Sequence, residues 1–145
     1  MNYQIIFLPI LSGLIAQAIK FFIKSNQQSF NLRNFIAYSG MPSGHSAIVI
    51  SLATTVGLIE GINSSVFAIS LIIAIVVIRD AVGIRRYLGE HGKILNTLVK
   101  DLSNDKVLDD HYPHLLERIG HTPLQVIIGS FIGFFISVIG YYILN

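Results

Sequence analysis

Apolar residues run along the chain in long blocks separated by short polar stretches, and that alternation sets the expected elements. No Lys, Arg, Asp or Glu occurs in residues 1–19, 34–59, 61–78 or 119–145. Uncharged, mainly apolar stretches of about 18 residues or more have the length a membrane-spanning helix needs. The pattern predicts a first helix over residues 3–24, a polar connector holding Gln27, Gln28 and Arg33, and a second helix over 42–59. Gly57, Gly61 and Asn63 suit a tight turn at 60–64, after which a third helix is expected over 65–83. Residues 84–120 are polar with patchy amphipathic signals, and a last helix is expected over 123–144. The predicted class is all-α, a polytopic transmembrane bundle of about four spanning helices, with shorter helices between 85 and 120. It forms one membrane-embedded domain over residues 1–145.

Composition agrees with a bilayer setting. Of 145 residues 52% are hydrophobic and 12% charged, against roughly a quarter charged in soluble domains. Residues 1–19 have neither a basic start nor a small-residue cleavage site, so they read as a retained helix and not a signal peptide. The absence of cysteine excludes disulfides and thiolate metal sites. A formal net charge of +2, confined to connectors, argues against nucleic acid as a partner. Lys20, Lys24 and Arg33 flank the first connector; Arg85, Arg86, Lys93, Lys100, Lys106 and Arg118 fall in the third, and the second has no basic residue. Basic residues stay on the cytoplasmic side. The first and third connectors are therefore expected in the cytoplasm and both termini outside, in a multi-pass protein of the inner membrane if the source is bacterial.

That topology brings chemistry to one face. Lys20 ends the first helix, Ser43, Gly44 and His45 start the second, Asp80, Arg85 and Arg86 end the third, and His121 precedes the last; the opposite face has Glu60 and Asn63. Ionisable groups at this depth are costly unless they face a bundle interior or an aqueous cavity, so the cluster reads as a site. Lys24, Arg33, Lys93 and Lys100 read as ordinary interfacial residues with heads in water. In Met41-Pro42-Ser43-Gly44-His45-Ser46, a proline in the first helical turn and the free N–H groups beside it make an anion pocket. Gly44 admits close approach, Ser43 adds a hydroxyl and His45 stands where it would donate a proton to a leaving oxygen; the same string also reads as a plain helix cap. Gly120-His121-Thr122-Pro123-Leu124-Gln125 repeats a histidine beside a helix-opening proline.

Together these strings resemble the type-2 phosphatidic acid phosphatase superfamily, relatives of vanadium haloperoxidases and bacterial acid phosphatases. The similarity is closer to its small, divergent branch from bacteria and plants. It rests on Ala16-Gln17-x-x-Lys20, Gly40-Met41-Pro42-Ser43-x-His45-Ser46-Ala47, Asp80-Ala81-x-Gly83-x-Arg85-Arg86, Leu95-Asn96 and Gly120-His121-Thr122-Pro123, in that order. The resemblance implies a lipid phosphate as substrate, hydrolysis of a phosphomonoester or pyrophosphate, and no metal or cofactor. It implies that Lys20, Ser43, Gly44 and Arg85 or Arg86 hold the phosphoryl oxygens, His45 is the general acid and His121 the nucleophile. Gln17, Asp80 and Asn96 support them. Clustered donors of this kind stabilise developing charge on equatorial oxygens, and an imidazole can carry a phosphoryl group to water.

The chain also departs from the superfamily pattern. No Arg-Pro follows Lys20, and the position six before His121 is Leu115 where an arginine is usual. Four after His121 stands Gln125 in place of an acidic residue. Its amide oxygen can orient an imidazole but brings no negative charge, and Thr122 with Gln125 also reads as a capping box. Glu117, Asp109 or Asp110 are candidate substitutes for the missing charge. A non-catalytic protein that keeps the cradle and binds anionic lipid is therefore the alternative function. His91, six after Arg85, is a rival nucleophile without a proline-led helix behind it. Asp109, Asp110, His111 and His114 resemble a metal cluster only in composition. Gly129 and Gly133 form a small-residue seam for helix packing, inside the bundle or in a homo-oligomer. Asp80 is expected to pair with Arg85 or Arg79.

Overall fold

The computed structural model describes residues 3–23, 40–102, 115, 117 and 119–145. Among them every regular element is a helix: α1 (Gln4–Phe22), α2 (Gly44–Ile59), α3 (Ser65–Val82), α4 (Ile84–Leu102) and α5 (Pro123–Leu144). The connector with Gln27, Gln28 and Arg33 lies outside the described residues, as do Asp109, Asp110, His111 and His114.

Local signals set the boundaries. Ser43 caps α2 by accepting the Ser46 N–H at 3.4 Å. Pro42 therefore stands before the cap, following a cis Met41–Pro42 bond, and not in the first helical turn as expected. Ser64 caps α3 through the Phe67 N–H at 3.1 Å, and Gly61 turns the chain with φ 84°, a left-handed value that suits glycine. Pro123 opens α5 behind a complete Thr122–Gln125 capping box. The third apolar block stops at Gly83, where φ −95° and ψ −94° leave the helical region. The described start of the polar stretch beyond it, Ile84–Leu102, is one 19-residue helix, α4, where the sequence predicts patchy helix; its polar and apolar residues sort onto separate faces.

Three helices, α1, α5 and the apolar α3, are long enough to cross a bilayer, and the shorter apolar α2 completes the bundle. The central helix is α2, which packs against α1, α3 and α5, with α1 also touching α5. Its neighbours approach closely because the facing residues are small. A side chain at Gly129 would strike the Ser43 carbonyl and Ser46 Oγ, and one at Gly133 the Ala47 carbonyl. The glycine seam thus faces α2 inside the bundle. Small polar groups tie the helices: Ser137 donates to the Ser51 carbonyl at 3.0 Å and Ser46 to that of Val126 at 3.1 Å. Ser12, Ser46, Ser51, Thr55 and Ser137 are buried, while Ile6, Phe7, Ile72, Ile75, Phe131 and Phe135 point outward. Such an inversion fits hydrocarbon as the solvent, where close packing and hydrogen bonds, not expulsion of apolar groups from water, hold helices together. At the end remote from His121, Gln4 Nε2 donates to the Leu144 carbonyl at 3.4 Å, joining the start of α1 to the end of α5.

Candidate functional site

The expected cluster forms at the end of the bundle where α1 and α3 finish and α2 and α5 begin. Lys20, on the last turn of α1, is 2% exposed despite its charge. One turn earlier Gln17 lies against the α2 start, its Nε2 3.5 Å from where a Gly44 side chain would begin. Lys20, Arg85 and Asp80 are all close enough to the His45 ring for their charges to act on it. The rings of His45 and His121 have centroids 5.9 Å apart and are tilted by 57°. His91, the rival nucleophile, is exposed on α4.

Backbone bonds fix this arrangement. Ser43 N–H donates to the Gln125 carbonyl at 3.0 Å, joining α2 to α5, and His121 N–H donates to the Ala81 carbonyl at 2.9 Å, joining the α5 approach to α3. Gly120, at φ 89°, lies so close to the backbone of Ala81, Arg85 and Arg86 that no Cβ would fit. Ser43 is wholly buried as the α2 cap, so its hydroxyl already accepts one bond.

Arg85 and Arg86 separate in role. Arg85 Nε donates to Asp80 Oδ2 at 2.6 Å, the pair expected from the sequence, beside His45. Arg86 lies about 100° further around α4 and pairs with Glu90 at 3.2 Å, half exposed on the other side of the helix. Adjacent residues on a helix cannot face the same point, and of the two arginines it is Arg85 that the structure brings beside His45. Asn96 bonds the chain ahead of His121. Its Nδ2 donates to the Leu115 carbonyl and to Glu117 Oε1, each at 2.9 Å, and its Oδ1 accepts the Leu115 N–H at 3.0 Å. Glu117, a candidate substitute charge, is thus held on Asn96. The backbone of Glu117 and Ile119 crosses so close to Gly89 that a side chain there would not fit. Gly89 is a residue the motif reading missed; its signal is the spacing of Gly89, Gly92 and Asn96 along one stripe of α4.

Gln125 has two functions through one atom. Its Oε1 accepts the Thr122 N–H at 3.0 Å and faces His121 Nδ1 at 3.3 Å. An amide oxygen only accepts, so it takes the ring N–H at Nδ1, and the ring also hydrogen-bonds the Gly40 backbone. Burial foremost, then the Lys20 charge, pushes the His121 pKa down to about 4, against opposing hydrogen bonds to the Gln125 amide and the Gly40 backbone. His121 is therefore neutral at neutral pH. Because the unfolded imidazole titrates near 6.5, the unfolded chain binds the proton more tightly. Stability is then full above that value and falls as pH drops through the window from 6.5 to about 4. Melting temperatures in detergent across that range should decline for the native chain and decline less for His121→Gln.

A helical membrane bundle with paired imidazoles, a buried lysine and an Arg–Asp pair at one end defines a membrane protein of the type-2 phosphatidic acid phosphatase kind. The chain belongs to the divergent PAP2 family, whose model matches residues 1–136. It is similar to the uncharacterized membrane protein YuiD of Bacillus subtilis (strain 168), at 35% identity over 147 residues, covering 90% of this chain and 92% of that relative. No solved structure matches the chain.

Proposed function

We propose that the protein is a membrane-embedded phosphatase that hydrolyses a lipid phosphomonoester or pyrophosphate through a phosphohistidine, with its site open to the cytoplasm. The observation that carries this reading is the placement of a neutral His121, oriented through Nδ1, beside His45 and a buried Lys20. The His121 Nε2 lone pair attacks phosphorus, the bond to the leaving oxygen breaks, and His45 gives that oxygen its proton. His45 then takes a proton from water, whose oxygen displaces His121 and releases inorganic phosphate. Lys20 and Arg85 stabilise charge on the equatorial oxygens, with Asp80 holding the Arg85 guanidinium in place. Gly44 leaves the α2 N-terminus open to a phosphoryl oxygen. The excess of Lys and Arg in the first and third connectors supports the cytoplasmic orientation.

The test is release of inorganic phosphate from phosphatidic acid, phosphatidylglycerol phosphate and polyprenyl diphosphate by purified protein in detergent. Turnover that survives chelator and is inhibited by vanadate is expected. Binding of these lipids without turnover would establish the second reading, a non-catalytic anionic-lipid-binding protein, which the amide at Gln125 favours. That amide gives a further prediction. In Gln125→Glu the carboxylate keeps the bond to the Thr122 N–H and adds the charge that stabilises an imidazolium. Loss of the corresponding charge in a serine-protease triad costs about 10⁴-fold, so a gain of about 10-fold or more in kcat is expected. An unchanged rate would show that charge at this position does not limit turnover.

A further inference from the structure

The helix α4 is unlike the others, because it leaves the bundle: among the described helices its main packing is against α3, which it follows directly. Ile84, Tyr87, Leu88, Leu95 and Leu98 fall on one face, and each is about half exposed or more, with Tyr87 at 63%. The spacing i, i+3, i+4, i+11, i+14 is an apolar stripe on a helix, interrupted at i+7 by the exposed His91. Arg86, Lys93, Thr97 and Lys100 lie on the opposite side. A third face, with Gly89 and Asn96, is met by Leu115, Glu117 and Ile119.

From these faces we infer that α4 is a membrane-surface helix, docked along the anionic leaflet on the side of the bilayer where the site opens. Three observations select lipid as the occupant. The stripe is continuous along the chain with the membrane-spanning α3, and the break at Gly83 sits where that span ends. The helix is basic, with Arg85, Arg86, Lys93 and Lys100 against Glu90 and Asp101, which complements anionic headgroups. Strong segregation of faces with low overall hydrophobicity is the pattern of a helix lying in the interface, not crossing it. The docking is independent of catalysis, yet it bears on the site. Leu115, Glu117 and Ile119 rest on Asn96 and Gly89, and Gly120 rests on the α3–α4 junction, so the lipid-seated helix also contacts the chain just ahead of His121.

The chain has no tryptophan, which allows a direct test. Tyr87→Trp and Leu98→Trp place a single indole on the stripe, and Thr97→Trp places one on the polar side. Each variant is reconstituted as full-length protein at one copy per nanodisc of phosphatidylcholine with phosphatidylglycerol. Lipids brominated at shallow and deep acyl positions serve as quenchers. Blue-shifted emission from the stripe variants, quenched several-fold more by shallow than by deep bromines, is expected, with Thr97→Trp red-shifted and little quenched. Red-shifted, unquenched emission from both stripe variants would overturn the proposal, because the stripe would then face water. Equal quenching of all three would also overturn it, and so would blue-shifted emission seen only with two copies per disc, which would assign the stripe to a second copy of the chain.

Discussion

His121→Ala is expected to lower kcat on a lipid phosphate by about 10³-fold or more and to remove the acid-labile, base-stable phosphoenzyme. No other described imidazole shares its position: His45 stands beside it, and His91 is exposed on α4. Under the proposed mechanism the lost step is bond formation to phosphorus, so lipid binding should survive while turnover vanishes. A direct readout is rapid-quench labelling with a radiolabelled lipid phosphate, in which the native chain accumulates a phosphohistidine and the variant none. Native-like turnover in the variant would refute the assigned nucleophile. Because His121 is 3% exposed, detergent melting of the same preparation is needed to show that the variant is folded.

Gly129→Leu is the substitution expected to damage the fold most. The new side chain would meet the Ser43 carbonyl and Ser46 Oγ, and backbone cannot yield as a flexible side chain would. Overpacking in cores costs about 1–3 kcal/mol, and a backbone contact at the centre of a four-helix junction lies at or above that range. The consequence reaches the chemistry, since Ser43 begins α2 and bonds the Gln125 backbone. A melting temperature in detergent lower by about 5 °C or more is expected, with phosphatase activity lost together with it. Gly61→Ala is a useful contrast. Its added carbon meets nothing within 4 Å, so the cost there comes from φ 84° alone and amounts to about 1 kcal/mol.

The membrane helices were legible because their signal is compositional: long uncharged blocks can only be spans or a very large core. The site was legible for a different reason. Lys20, His45, Asp80, Arg85 and His121 are sparse polar residues at predicted helix ends, and an up-and-down bundle leaves those ends few places to go. What the sequence concealed is set by rotation and by close approach. The choice between Arg85 and Arg86 is a matter of about 100° around one helix, invisible until the α3–α4 break fixes the helix phase. Gly89 and Asn96 touch a segment about twenty to thirty residues later in the chain, and nothing local advertises that contact. At Gln125 the capping and orienting readings looked like competitors, but one oxygen with two lone pairs accommodates both.

Helix lengths carry a last consequence. At 1.5 Å per residue the 16 residues of α2 span about 24 Å, whereas the 22 of α5 span about 33 Å. A hydrocarbon slab of about 30 Å is therefore longer than α2. A span shorter than the slab is met by local thinning of the bilayer or by its flanking residues. If the protein turns over a lipid phosphate as proposed, acyl-chain length in the surrounding lipid, which sets that mismatch, is expected to alter its rate.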